Sequence, residues 1–420
     1  MFTRIIHLAA RIGTALLLMV LVWSCGTVPG IRDEEPGTVI RVPFVRVLLS
    51  ENQPEVQLSA DHSFAIECLT GGEQFIYYSS RSVTVRSLRS EVQVLNHKGE
   101  IIHERAREVN VIPRGTNNRT EVGGKPYRGI IRILPYGDNV RLVNILYIED
   151  YLRGVVPPEL GQRNDDEIEA IKAQAVAART YAVGHLQQYA NEPYDLKASV
   201  YDQVYEGSGV ENRLVNKAID ATAGTVASFQ DKLIGAYYHS TCGGMTDDIA
   251  HVWDRESIPY LRAVVDSGAC SWSKYYHWKE VFTEAQLRGR LEQYLSGDRG
   301  KDLRIGTIRT VEVRERTPGG RVAKLEVHTE TDTYRFQKDR IRWAIGRASN
   351  PDLILPSDRF DVIIERDNNG GILRVVFDGS GYGHGVGMCQ CGAIGMSRAG
   401  YTYDQILHRY YAGIDLKQLY

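Results

Sequence analysis

The sequence predicts an α+β fold, with strand-rich N- and C-terminal parts around a central helical segment that carries the functional motif. Three observations lead there. Stretches mixing β-branched and aromatic residues between turn signals fill the first third of the chain and return near its end. Apolar residues at helical spacing cluster in the middle. Neither a strand–helix alternation nor a repeat of fixed period runs through the chain, which argues against a parallel α/β fold.

The N-terminus comes first. Arg4 and Arg11 precede an apolar run, Ala15 to Trp23, that ends at Ser24-Cys25-Gly26. A basic flank, a short apolar run and a small residue make a secretory signal. The run is too short for an ordinary spanning helix. Cys25 directly after Ser24 reads as a lipobox cysteine, although Trp23 stands where that motif usually has a small residue. The expectation is an exported lipoprotein, lipidated on Cys25 and facing the periplasm or cell wall. Residues 1–25 are then the signal, 26–36 a tether and 37–126 a β-rich N-terminal region. Residues 127–420 form the functional region, divided into a core (127–300) and a second β-rich part (301–420).

From Val39 to about Thr120 the chain is strand-like, as in Val42–Leu49, Ser63–Cys68, Phe75–Tyr78 and Glu91–Leu95; Gly129–Pro135 and Asn139–Leu146 continue the pattern. A helix follows. Asn164 with Glu167 forms a capping box, and Ile168, Ile171, Ala175, Ala178 and Ala182 share one apolar face. Lys172 and Arg179 align within about 20° beside that face. Two cations on a buried helix need acceptors or substrate; snorkelling at the edge of the core is the simpler use of both. Arg213–Thr222 is a second helix, Leu233–His239 a strand, and Thr283–Leu295 a third helix. Ile305–Phe336 and Asp361–Phe377 are strands, with a turn at Thr317–Arg321, and Tyr403–Tyr411 is a short closing helix.

Charge excludes little but does exclude one class. Fifty basic residues nearly cancel 52 acidic ones, so nothing points to nucleic acid. Six cysteines, Cys25, Cys68, Cys242, Cys270, Cys389 and Cys391, would meet oxidising conditions after export. Cys242 and Cys270 are the first candidates for a disulfide. Cys389 and Cys391 are too far apart along one face of a strand to bridge easily, and Cys68 has no evident partner.

Two distant stretches carry the chemistry. The first is Y-L-R-G-V-V-P-P-E-L, Tyr151 to Leu160, followed by A-I-K-A-Q-A-V-A-A-R-T-Y-A-V, Ala170 to Val183. The second is G-S-G-Y-G-H-G-V-G-M-C-Q-C-G-A, Gly379 to Ala393. Pro157 and Pro158 stiffen the backbone before Glu159, and burial would raise the pKa of its carboxyl. Glycines on both sides of His384 form a tight loop that exposes the ring.

Together these stretches resemble the SpoIID family of sporulation and cell-wall proteins, from about Tyr127 to the C-terminus. The resemblance implies a peptidoglycan lytic transglycosylase with Glu159 as its catalytic acid/base. It further implies that Lys172, Arg179, His239, Ser240, His384 and Gln390 bind substrate, with His239-Ser-Thr-Cys-Gly-Gly as a strand-to-turn motif. Cys391 stands where the family often has an aromatic residue. Gln174 and Tyr181 are weaker candidates. A hydrolase would need a second carboxylate, for which Asp202, Asp247 and Asp248 are available. Relatives described as amidase enhancers supply the alternative, a wall-binding protein without catalysis, and make an N-acetylmuramoyl-alanine amidase a candidate partner. No cofactor is implied. Some members hold zinc just before the Gln-Val-Tyr motif, but Tyr194–Asp202 here has no cysteine or histidine, so no metal is carried over. A separate His239/Cys242/Cys270 zinc site ranks below the disulfide.

Overall fold

The computed structural model describes residues 42–199, 202–299, 303–350 and 352–420. The signal, the tether and Cys25 lie outside the described residues. The fold contains both strands and helices, consistent with the α+β expectation.

Residues 44–147 supply all the strands of two sheets over one core except Leu196–Lys197, which pairs in parallel with Phe44–Gln53. In the seven-stranded sheet Phe44–Gln53 pairs antiparallel with Asn139–Tyr147, which pairs with Ile130–Tyr136. Glu108–Pro113, Phe64–Thr70 and Glu73–Ser79 extend that sheet. The six-stranded sheet centres on Glu55–Ala60 and Val83–Ser87. Inward residues alternate along the strands, as Val45 and Val47, Phe64, Ile66 and Cys68, and Ile131 and Ile133 are all fully buried. The N-terminal strands therefore share a sheet with strands that follow Tyr127.

Helix α1 (Ile148–Leu160) starts directly where the strand Asn139–Tyr147 stops. Its buried residues Ile148, Tyr151, Leu152, Val155 and Val156 follow helical spacing and face the core. The Asn164–Glu167 capping box is present and holds a 3₁₀ turn at Asp165–Glu167. Helix α2 (Ile168–Gly184) runs on from it and is buried from Ala173 to Val183 on every side, which its alanines permit. Helix α3 is Arg213–Asp220, capped by the Asn212 side chain.

The expected strand Leu233–His239 is broken. Only Lys232–Leu233 and Tyr238–His239 are extended, because a turn bonds the Tyr237 N–H to the Gly235 carbonyl at 2.8 Å. Tyr238–His239 pairs in parallel with Met388–Cys389. That short ladder joins the strand-to-turn motif at His239 to the Gly-rich second motif. Helix α4 is Ile249–Val252.

A second hydrophobic core lies between residues 282 and 377. Helices α5 (Glu284–Arg299) and α6 (Arg340–Ile345) pack there with two three-stranded antiparallel sheets. The chain then returns to the first core through α7 (Gln390–Arg398), α8 (Tyr403–Tyr410) and the strand Asp415–Gln418. No helix among the described residues is long and apolar enough to cross a membrane.

Candidate active site

Glu159 sits in the last turn of α1, a position the two prolines help to shape. Pro158 has no N–H to give the Gly154 carbonyl, which a helix would otherwise bond. That carbonyl instead accepts the Glu206 N–H at 3.1 Å. Gly154 lets the partner segment come close: a Cβ there would meet the Tyr205 ring at 2.5 Å and the Gly207 carbonyl at 2.7 Å. The segment so docked carries the Val204 N–H, which donates to Glu159 Oε1 at 3.4 Å.

The other oxygen belongs to the second motif. Gln390 Nε2 donates to Glu159 Oε2 at 3.1 Å and reaches Gln174 Oε1 at 3.5 Å. Burial pushes the Glu159 carboxyl above its ordinary pKa, and the bonds from Gln390 and Val204 only partly oppose it. Glu159 has no ion pair among the described residues. Gln174 is fully buried, and its Nε2 finds no acceptor. A donor is thus left uncommitted beside the carboxyl.

Behind the carboxyl, Tyr151 donates to Gln203 Oε1 at 3.1 Å, and Gln203 Nε2 donates to the Tyr238 hydroxyl at 2.9 Å. The Glu159 charge is felt at both tyrosines, whose own hydroxyls burial drives well above the usual range. His384 is fixed as one neutral tautomer: its Nε2 donates to the Tyr238 carbonyl at 3.0 Å while its Nδ1 accepts the Val386 N–H at 3.1 Å. Burial lowers its pKa to about 4. His239 lies 5.5 Å away between ring centroids and donates from Nδ1 to the Val386 carbonyl at 3.2 Å. Burial also holds His239 well below its usual pKa, and its Nε2 is buried without a partner. Neither ring bonds to Glu159. Surface cavities of about 620 and 400 Å³ are lined by Arg119 with α3 residues and by Trp253 with Lys338; neither includes Glu159.

The family model described as "Stage II sporulation protein" matches residues 136–229, which contain Glu159 and all of α2. A domain of unknown function, DUF8618, matches residues 269–387, around the second core. Stage II sporulation protein D of Bacillus subtilis is 30% identical over 64% of this chain and 74% of its own length. The chain belongs to the SpoIID family. An uncharacterized protein of Brachyspira hyodysenteriae is 32% identical, over 81% of this chain and 85% of its own length. The amidase enhancer of Bacillus subtilis is 28% identical over 72% of this chain, which spans only 45% of that longer relative.

Within this SpoIID chain, the residues expected around Glu159 divide. Gln390 reaches it and Gln174 stands beside Gln390. Lys172 and Arg179 do not join them. Lys172 Nζ bonds to Glu169 Oε1 at 2.6 Å and lies 5.8 Å from the Tyr403 ring centroid. Arg179 is 0% exposed and bonds both oxygens of Glu149 at 2.7 Å, with a third bond to the Thr225 carbonyl at 3.0 Å. Ser240 shapes the loop: its hydroxyl lies 3.3 Å from the Thr241 hydroxyl, and its carbonyl accepts the Cys391 N–H at 2.9 Å. The candidate second carboxylates are engaged elsewhere, Asp202 by Gln188 and the Lys197 N–H, Asp247 by Thr317 and His251, and Asp248 by Ser257.

The expected Cys242–Cys270 disulfide is not formed. Both are free thiols with sulfurs 3.4 Å apart, near each other but beyond bonding distance. Cys389 and Asp266 crowd the same point, and the ligand atoms of all four residues lie within 4.8 Å of one another. His239, considered above as a partner of these cysteines, is not in the group. Asp266 escaped the sequence reading; its signal is its place four residues before Cys270, whose N–H it caps at 2.7 Å. Gln203 escaped as well, though it opens the Gln-Val-Tyr motif.

Proposed function

We propose that this chain is a peptidoglycan lytic transglycosylase, exported and held at a membrane by a lipid on Cys25. It would cut the MurNAc–GlcNAc bond of glycan strands, with peptide-stripped strands as a preferred substrate and Glu159 as the single acid/base. The observation that carries this reading is a half-buried carboxyl, raised in pKa by burial and held, among the described residues, by neutral donors with no cation paired to it. Such a carboxyl is protonated further up the pH scale than an ordinary one, which suits a general acid.

In this reading Glu159 protonates the glycosidic oxygen as the bond to C1 of MurNAc breaks. The oxygen O6 of the same sugar attacks C1 and closes the 1,6-anhydro ring. Its proton returns to Glu159, which restores the acid. No water and no second carboxylate is consumed, in keeping with the other engagements of Asp202, Asp247 and Asp248. Gln390 and the Val204 N–H stabilise the carboxylate between the two transfers, and the fully buried Gln174 accepts from Gln390 on its side away from solvent.

The relative named amidase enhancer favours a second reading, in which the chain binds the wall and stimulates an amidase without cutting glycan. Mass spectrometry of products from purified glycan strands, with and without stem peptides, separates the two. Anhydro-ended sugars made by wild type and lost in Glu159→Gln support the transglycosylase. Reducing ends mean a hydrolase, and binding without cleavage means the enhancer.

A further inference from the structure

Four buried side chains converge away from the carboxyl site. Cys242 follows the His239-Ser240-Thr241 strand end, Cys270 closes the turn that Asp266 opens, and Cys389 caps the N-terminus of α7. Three features separate the group from a chance meeting of thiols. The Cys242 and Cys270 sulfurs stand 3.4 Å apart, well beyond the ~2.05 Å of a disulfide. Thiolates about 2.3 Å from a tetrahedral zinc stand about 3.8 Å from one another, so small side-chain rotations suffice. Next, Cys389 Sγ accepts two backbone N–H groups, from Cys242 and Gly392, each at 3.2 Å. Those two N–H groups are outer partners of the kind that orient a metal-bound sulfur. Last, the Asp266 carboxylate is fixed by the Tyr410 hydroxyl at 2.6 Å and the Cys270 N–H at 2.7 Å. Metal-bound carboxylates are commonly oriented in this way by outer partners. Gly392 leaves the room: a Cβ there would lie 2.3 Å from Asp266 Oδ1 and 2.0 Å from the Tyr410 hydroxyl oxygen.

We propose that Cys242, Cys270, Cys389 and Asp266 bind one Zn²⁺ ion in a closed tetrahedral site of three sulfurs and one oxygen. Soft thiolates select zinc over magnesium or calcium. Four protein ligands leave no open position, so the ion is structural and not catalytic. Three thiolates and a carboxylate carry more charge than the ion neutralises; the Cys242 and Gly392 N–H groups on Cys389 and the Tyr410 hydroxyl on Asp266 stabilise part of the surplus, the buried Arg321 being paired with Asp358. The ion would staple three segments far apart in sequence. One bears His239 and Ser240, and another leads directly into Gln390, the amide on Glu159. The proposal does not depend on glycan cleavage.

The test is metal content and thiol state of the full chain, purified under reducing conditions and supplied with Zn²⁺. The expected result is one zinc per chain by elemental mass spectrometry. Cobalt substitution of the wild type should give thiolate-to-metal charge-transfer bands and tetrahedral ligand-field bands, a readout that needs no variant to fold. Cys242→Ser, Cys270→Ser and Cys389→Ser should each lose the zinc, Asp266→Asn should bind it at least about tenfold more weakly against a chelator, and Cys391→Ser should keep it. A reduced, folded wild type that takes up no zinc overturns the proposal. So does full zinc retention in the folded cysteine variants, or a native Cys242–Cys270 disulfide found by peptide mapping.

Discussion

The two ends of α1 each carry a half-buried glutamate, and the two carboxyls are driven in opposite directions. Burial pushes both upward. At the first turn, Glu149 also receives two bonds from Arg179, the Tyr420 hydroxyl and the Gly224 N–H, and these outweigh burial and hold it below its ordinary pKa. At the last turn, Glu159 receives only the Gln390 amide and the Val204 N–H, and burial prevails. Depth does not separate a structural carboxylate from a poised acid. The charge of the partner does.

The signs follow. The raised Glu159 contributes stability only where it is protonated, below its unfolded pKa, and that contribution is lost as pH rises through its folded pKa. The lowered Glu149 contributes above its unfolded pKa, and loses that contribution as pH falls through its folded one. The sharpest break of the comparison is therefore Glu159→Gln. Glycan cleavage, followed by release of anhydro-ended sugars, should fall by about 10²–10⁴-fold, the range for a general acid. The variant should at the same time melt no lower than wild type at neutral pH, with any gain fading as pH falls towards the ordinary glutamate value of 4.5. A lower melting temperature with intact cleavage would reverse the roles assigned to the two ends.

Arg179→Met attacks the other end. It strands Glu149 without its cation and should cost about 3–5 kcal/mol of unfolding free energy. The loss, measured by urea melts, should be largest at neutral pH and shrink as Glu149 protonates. If Arg179 instead acted on substrate, cleavage would collapse with little change in stability.

This division was only half legible in the sequence. The pairing of the Pro-Pro-Glu motif with the Gly-rich loop is borne out as proximity, since Gln390 touches Glu159 from 231 residues away. The helix under Glu159 was not read, because two prolines argue for a break; here they fall in its last turn, where Glu206 satisfies the freed carbonyl. The stripe of Lys172 and Arg179 misled in another way. A shared helix face gives direction but not depth. Arg179 lies where α2 passes under Glu149 and Thr225, whereas Lys172 lies nearer the start of α2, beside Tyr403 of α8. The cysteines show the same limit: their sequence positions suggested one pair, and only the fold brings Cys389 and Asp266 into it.

Two milder substitutions sharpen the contrast. Gln390→Leu removes one of the two bonds that oppose burial, so the carboxyl should rise further. The alkaline limb of the cleavage–pH profile should move upward, and stability should drop by about 1 kcal/mol for the lost hydrogen bond. An unmoved limb would mean that Gln390 serves the substrate and not the acid.

The smallest effect belongs to Lys172→Met. Its bond to Glu169 is a partly exposed pair three residues apart on one helix, and such pairs contribute about 0–1 kcal/mol. The longer contact over the Tyr403 ring is replaced by a methionine stem that packs on the same face. Stability should change by less than about 1 kcal/mol, and cleavage should stay within about twofold of wild type, because a change of a few tenths of a kcal/mol in transition-state energy gives no more. Calorimetry and the anhydro-sugar assay on one preparation check both. A large fall in cleavage at constant stability would place the α2–α8 surface in the path of the glycan, and would return to Lys172 the role that Arg179, buried against Glu149, cannot reach out to fill.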